Sequence, residues 1–323
     1  MIKPSSQDIL NNFTEKMNAF EIQISGDNIG LSVSGGGDSI ALLYLTKEWA
    51  CKNDKKIFVA TVDHGLRKES LNEAQTVKDI CRSLGIECTI LNWTDWDKSG
   101  NLQDAARSAR NRLIGNWANS LGLDAVATGH TADDQAETFL LRLARGSGAR
   151  SLSGMAVENN IYVRPLLKIS RQTTVAACGE GGVEFWSDPH NDDLRFARVR
   201  TRKNVLPNLE ENLGPGITDA LVRSADLLRD DADALDSFAR EYFAQTDPLN
   251  LSVNELERLP RAIRSRVLRL AIYKAGAPSG SLSAEHINGA EALISDWHGQ
   301  KELSLPGDVK LLRNSGRITL STQ

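Results

Sequence analysis

The sequence predicts an α/β protein: a doubly wound, mainly parallel sheet followed by a second, smaller, mostly helical C-terminal domain. Three observations carry that expectation. Between Ile29 and Ser187 short apolar runs alternate with longer segments of helical period, the rhythm of strands joined by crossover helices. Beyond Pro207 the rhythm changes to one long helical pattern, 219–244, with no strand signal. The first strand also runs straight into Gly35, Gly36 and Gly37 and then into the apolar run Ile40 to Leu45, which puts a pliable turn at a strand's carboxyl end and a helix's amino end.

Taken in order, the expected strands are 29–33, 57–62, 88–91, 125–128, 161–164 and 183–186. Residues 101–121 form a helix with Leu102, Ala106, Ala109, Leu113 and Trp117 on one face and Gly122 as its stop, and Ser70 to Glu73 reads as a capping box opening another. Asp247-Pro248 ends the long helix; helices near 253–259, 261–275 and 284–295 follow, then short strands near 303–305, 309–312 and 318–320. Two domains are expected, 1–214 and 215–323, with the boundary near 210–220.

Composition narrows the function classes. A chain of 323 residues, 41% hydrophobic and 25% charged, can bury one large core and a smaller one. Its net charge of -4 gives no global basic field, so a nucleic-acid partner has to be met by a local patch. Cys51, Cys81, Cys88 and Cys178 show neither metal-site spacing nor the density of a disulfide framework and read as reduced thiols. The first thirty residues lack the apolar core of a signal peptide, and no stretch approaches the roughly 18 apolar residues of a membrane span. A soluble, cytoplasmic protein with no membrane partner is expected, and a homodimer is compatible with the sequence.

In the loop Ser34-Gly35-Gly36-Gly37-Asp38-Ser39 the glycines let the backbone turn its amides toward a ligand, and the helix start adds unpaired N–H groups and the positive end of its dipole. Such a pocket binds phosphate; the plainer reading is a glycine turn with Asp38 or Ser39 as a helix cap. No lysine follows as in a Walker A loop, and the glycine spacing of dinucleotide folds is absent. The loop resembles the Ser-Gly-Gly-x-Asp-Ser signature of the PP-loop ATP-pyrophosphatases. That resemblance implies an adenine nucleotide alpha hydrolase-like fold and cleavage of ATP between its α and β phosphates. Pyrophosphate would lie on Ser34, Gly35, Gly36, Gly37, Asp38 and Ser39, with Asp38 helping to hold a Mg2+ ion that bridges the phosphates.

Further segments narrow the likeness: Val62-Asp63-His64-Gly65-Leu66-Arg67, Ala106-Arg107-Ser108-Ala109-Arg110, the run Ala127 to Thr138 containing His130-Thr131-Ala132-Asp133-Asp134-Gln135-Ala136-Glu137, Asp188-Pro189-His190-Asn191, and Arg198 to Pro207. Together they resemble the bacterial tRNA(Ile)-lysidine synthase family over nearly the whole chain. The resemblance implies tRNA(Ile) with a CAU anticodon as partner, ATP-driven adenylation of carbon 2 of its wobble cytidine, and attack by the ε-amine of free L-lysine to give lysidine, AMP and pyrophosphate.

Asp134 and Glu137, three apart, share a helix face near the phosphate loop, and two carboxylates there repel a nucleotide unless a cation sits between them. The resemblance supplies the substrate lysine as that cation; the alternative is an acidic first turn favoured by the helix dipole. His130 either steadies the α-phosphate and the departing pyrophosphate or is a satisfied strand-end residue. Arg202 keeps the family's spacing to Pro207 and is the expected stabiliser of the transferring phosphate, although Val199 and Thr201 depart from the family pattern and Asn111 stands where a Tyr is common. Arg107, Arg110, Arg198 and Arg200 are candidate contacts to tRNA or phosphate, and Asp38 or Asp134 the expected base for the attacking amine. In the C-terminal domain Arg261, Arg264, Arg266 and Arg269 are expected to form a cationic face toward the tRNA, with contacts mainly to phosphate and sugar. Longer family members carry a further C-terminal domain, and any discrimination it supplies there is expected to be absent or met differently here.

Three other functions share parts of this pattern. A tRNA thiolase uses the same adenylation but needs cysteine pairs that this spacing does not offer. A non-catalytic ATP-binding module has no use for a second acidic site, and a small-molecule amidating ligase leaves the C-terminal domain unexplained.

Overall fold

The computed structural model describes residues 6–21, 27–65, 70–96, 102–180, 193–300 and 302–322. The chain divides into two compact units, Met1–Asp226 and Leu227–Gln323. In order, the first holds α1 (Ser6–Glu21), β1 (Asn28–Ser32), α2 (Gly37–Lys52), β2 (Lys56–Asp63), α3 (Ser70–Ser83), β3 (Glu87–Asn92), α4 (Leu102–Leu121), β4 (Ala125–Thr128), α5 (Ala132–Leu143), α6 (Ala149–Leu152), β5 (Glu158–Asn159), β6 (Tyr162–Val163), α7 (Arg171–Glu180), α8 (Ala197–Arg200), a π-helical turn (Thr201–Val205) and α9 (Leu206–Leu213). The chain then enters α10 (Ile217–Ala244), within which the division falls. The start of α10 belongs with the first unit: Val222 and Ala225 are buried, and Asp226 takes an ion pair from Lys168 at 2.9 Å.

The sheet of this unit runs β3-β2-β1-β4-β6-β5, parallel except for β5 on β6. Central β1 pairs on both sides, with Leu31 opposite Val59 on β2 and Ala127 on β4. Successive strands step one way from β1 through β2 to β3, and β4 lies on the other side. The carboxyl ends of β1 and β4 therefore flank the switch point where open α/β sheets bind ligands. Ile29, Leu31, Ile40, Leu42 and Leu43 are fully buried beneath that edge, so the first turn of α2 is anchored by its own apolar residues.

Five of the six expected strands are present to within a residue or two, and the sixth, 183–186, lies outside the described residues, as do Leu66, Arg67 and the Asp188 to Asn191 segment. Helix α1 is an addition to the sequence reading. Its stripe of Ile9, Phe13 and Met17, each four apart, packs into the main core, and Asn18 accepts a 2.8 Å hydrogen bond from the Trp49 indole. Ser70 is itself the first residue of α3, and its hydroxyl donates to Asp63 at 2.5 Å.

The second unit contains β7 (Asn250–Ser252), α11 (Val253–Arg258), α12 (Arg261–Lys274), α13 (Ala284–Ser295), β8 (Leu303–Leu305), β9 (Val309–Asn314) and β10 (Arg317–Thr322). Its four strands form an antiparallel sheet in the order β7-β10-β9-β8, one strand more than expected. Val267, Leu268, Ala271 and Ile272 of α12 pack with Leu293 and Ile318 into its core. The expected four-arginine face needs correction. A helix advances about 100° per residue, so Arg264 and Arg266 lie about 200° apart and cannot share a face. Arg264 is spent on a buried ion pair with Glu291 at 2.7 Å, Arg266 donates to Asp236 at 2.6 Å and Arg261 to Asn288 at 3.0 Å. Of the four, Arg261 and Arg269 are the exposed ones.

Candidate active site

The loop after β1 turns because Gly35 takes φ +88°, a left-handed conformation that side chains disfavour. Ser39 ties the turn together: its hydroxyl donates to the Gly36 carbonyl at 2.8 Å and accepts from the Ser34 amide at 3.2 Å. Gly37 and Asp38 open α2, where their amides have no intrahelical acceptor and point with the helix dipole at whatever occupies the crevice. Across the switch point, a β-carbon on Gly129 would stand 2.9 Å from the Ser39 α-carbon and 3.0 Å from the Asp38 carbonyl. Only glycine lets the end of β4 come this close to the phosphate loop.

His130 and the start of α5 follow directly. The Asp134 carboxylate accepts from the Thr131 amide at 2.9 Å and from the Thr131 hydroxyl at 3.1 Å, capping the helix with one oxygen. Its other oxygen faces the arginines. Gln135, fully buried one residue on, clasps the Met155 backbone through both ends of its amide, at 2.7 and 3.1 Å, and so pins the 153–155 segment to α5. Neighbouring residues of one motif thus serve charge and framework separately.

Arg171, which the sequence reading passed over, connects the acids. Its Nε donates to Asp38 at 2.8 Å, Nη2 to Asp134 at 3.1 Å and Nη1 to Glu137 at 3.4 Å, one nitrogen for each carboxylate. Asp133 fixes the backbone at this point by accepting the Arg171 amide at 2.7 Å, and Thr174, one turn on in α7, donates to Asp38 at 2.5 Å. Glu137 has no solvent exposure and is further held by Arg198 at 2.6 Å and Arg202 at 2.7 Å. Those two arginines are four residues apart, and the π-helical turn that begins at Thr201 carries Arg202. The cation required between the paired carboxylates is thus present as protein arginine, whatever else binds there.

Burial pushes the Asp38 carboxyl up from its usual range, with Arg171 and Thr174 pulling the other way. Asp134 is also penalised by burial, but Arg171, Arg198 and the Thr131 amide outweigh that and hold it below its usual range. Burial pushes His130 down to about 4, with nearby arginines adding to the effect against Asp134, and its Nδ1 lies 2.9 Å from the Thr128 hydroxyl. At neutral pH it is an uncharged imidazole. Between about 4 and the ordinary 6.5 the unfolded chain binds a proton at this position that the folded chain does not, so His130 costs stability as pH falls through that window and costs no more below it. The imidazole resonance of His130 should titrate near pH 4 by NMR; a midpoint near 6.5 contradicts this environment.

Loop, His130, Asp134 and Arg171 open into one cleft of about 820 Å³, lined also by His64, Arg107, Arg110, Arg164 and Arg202. Arg107 and Arg110 enter it from one face of α4, so this expected pair is at the site. Glu137 and Arg198 stand behind its wall. Arg200 is elsewhere: it donates to the Leu194 and Arg195 carbonyls at 2.8 and 2.7 Å, and Val199 beside it is buried. None of the four cysteines lines the cleft. Arg164, read from sequence as the end of a strand, reaches the cleft from just beyond β6, while its Nη1 donates to Ala156 at 2.7 Å.

A glycine loop at the switch point of a parallel sheet, faced by a buried acid–arginine cluster, defines an ATP-using enzyme of the PP-loop class, and residues 7–209 match the family described as the PP-loop domain. Residues 251–319 match the TilS substrate binding domain. The chain belongs to the tRNA(Ile)-lysidine synthase family. It is 44% identical over 299 residues to the tRNA(Ile)-lysidine synthase of Thermobifida fusca, covering 92% of each, and 43% identical over 295 residues to that of Streptomyces coelicolor, covering 90% of this chain and 84% of the relative. Among solved structures, the U34-tRNA thiolase NcsA from Methanococcus maripaludis with its 4Fe-4S cluster superimposes with a TM-score of 0.57 at 18% identity, over 69% of this chain and 80% of that one. That is a likeness of fold.

Proposed function

We infer that this chain is an ATP-dependent carbon–nitrogen ligase that adenylates carbon 2 of the wobble cytidine in the CAU anticodon of tRNA(Ile) and joins lysine to it, releasing AMP and pyrophosphate. The observation that carries this reading is the meeting, in one cleft, of the Ser34–Ser39 loop with a second acidic site. Phosphate binding alone needs only the first.

The O2 oxygen of cytidine is a poor leaving group. Its attack on the α-phosphate of ATP breaks the bond to the β-phosphate, and the departing pyrophosphate takes its charge onto the amides of Gly36, Gly37 and Asp38. Neutral His130 fits as a hydrogen-bond donor to the α-phosphate, since its uncharged state leaves one ring N–H available whatever the pH above about 4. Arg202, Arg107 and Arg110 line the same space and offset the negative charge of nucleotide and anticodon. In the second half-reaction the lysine amine attacks carbon 2 as the free base, the carbon–oxygen bond breaks, AMP leaves and the nitrogen sheds a proton to solvent. Asp134, kept ionised by its arginines, suits the binding of an ammonium group better than the removal of a proton from it. Glu137 supports that pocket from behind, orienting Arg198 and Arg202.

Mg2+ fits the residues present: a hard cation that keeps most of its shell as water and phosphate oxygens needs one or two carboxylates, and Asp38 offers one at the foot of the loop. When bound it would offset the negative charge of the nucleotide's phosphates. The C-terminal unit, with exposed Arg261 and Arg269, is the surface for tRNA at a distance from the anticodon. Among the described residues no helix is long and apolar enough to cross a membrane, in keeping with a cytoplasmic site of action on tRNA and free lysine.

Incubation with ATP, Mg2+, radiolabelled lysine and tRNA(Ile) tests this directly. Label is expected in the RNA, with one pyrophosphate released per lysine joined. Pyrophosphate without label, together with RNA modification when a sulfur donor is added, overturns the reading in favour of a thiolase.

A further inference from the structure

Arg198 and Arg202 also reach both Glu137 and Asp134, but among the described residues Arg171 is the arginine that reaches Asp38 as well. Three separate nitrogens of one guanidinium hold Asp38 beside the phosphate loop and Asp134 and Glu137 at the second acidic site. Its backbone is fixed by Asp133 at 2.7 Å, yet its side chain keeps 23% of its surface exposed within the cleft. The side chain therefore has room to turn without movement of α7.

Each substrate cation competes for an oxygen that Arg171 now occupies: a Mg2+ brought by ATP for Asp38, and the lysine ammonium for Asp134. Resting on the lysine-ligase reading above, we propose that Arg171 couples the two sites, acting as a shared internal counter-ion that either substrate displaces to the benefit of the other. Arrival of Mg2+ and nucleotide at Asp38 removes the contact that anchors Nε, and the guanidinium then leaves Asp134 at lower cost. By reciprocity, lysine at Asp134 eases nucleotide binding to the same extent. The chemical consequence is order. A lysine pocket that forms fully only with nucleotide present keeps the amine beside an activated cytidine, so the adenylate is not left for water.

Equilibrium binding of L-lysine, measured by calorimetry with and without Mg2+ and α,β-methylene-ATP, reads the coupling. In the unmodified protein the nucleotide analogue should tighten lysine binding by about 5–150-fold, the usual span of such couplings. Arg171→Gln should bind lysine more tightly without nucleotide and show little further gain with it. Arg171→Lys retains the charge but cannot span three carboxylates, and its coupling should also fall toward onefold, which separates loss of the fork from loss of stability. A residue that merely holds the fold weakens both affinities and leaves their ratio alone; an unchanged ratio in both variants overturns the proposal while lysine binding itself stands. Absence of lysine binding in the unmodified protein under every condition overturns the lysine pocket as well.

Discussion

Asp38→Ala is expected to lower pyrophosphate release by at least about 10²-fold, the scale for removing an electrostatic stabiliser from an acyl or phosphoryl transfer site. Two structural facts set the size. Asp38 is the first acid on the helix whose amino end closes the glycine loop, so its loss removes the carboxylate proposed to hold Mg2+. It also leaves Arg171 and Thr174 without the partner they hold at 2.8 and 2.5 Å. Arg171 is then held by the second acidic site alone, and its tie to the phosphate loop is lost. Pyrophosphate release measured at saturating ATP checks this, and near-normal release from the variant contradicts the role given to Asp38.

Glu137→Gln is expected to cost roughly 3 kcal/mol of folding stability as well as impairing lysine use. A carboxylate with no exposure sits among Arg171, Arg198 and Arg202, and removing its charge strands cations in a partly buried place. Breaking one side of a buried ion cluster costs about 3–5 kcal/mol, and the lower end applies because the arginines keep 23–37% of their side-chain surface. Urea unfolding should show the midpoint fall with an unchanged slope. An unaltered midpoint means that the three arginines find other partners, and the framework role of Glu137 is then wrong.

Much of this site was legible before any coordinates. The order strand, glycines, acid and helix places Asp38, and Gly129-His130 at the end of the next central strand places the opposite wall, because a parallel sheet brings the carboxyl ends of its strands to one edge. Electrostatics alone also required a cation between Asp134 and Glu137. Which cation was illegible: Arg171 follows the irregular run Pro165 to Ser170, where no periodicity marks it, and only Ser170 as a helix-start signal points to α7. The stripe Arg198, Arg200, Arg202 was visible as charge. That 198 and 202 turn inward to Glu137 while 200 caps the Leu194 and Arg195 carbonyls depends on which side of the segment meets α5, a tertiary fact. In the C-terminal unit arginine spacing misled, since a count of charges ignores the roughly 100° step between neighbours on a helix. The four-residue period of Ile9, Phe13 and Met17 is present in the sequence, yet α1 was not among the expected helices.

A crystal structure with α,β-methylene-ATP and Mg2+ tests the central claim most directly. The β and γ phosphates should accept hydrogen bonds at about 2.7–3.2 Å from the backbone amides between Gly35 and Ser39, with the metal on Asp38 and Arg171 turned away from it. Finding the analogue bound elsewhere, with the glycine turn making no contact to phosphate, contradicts the account.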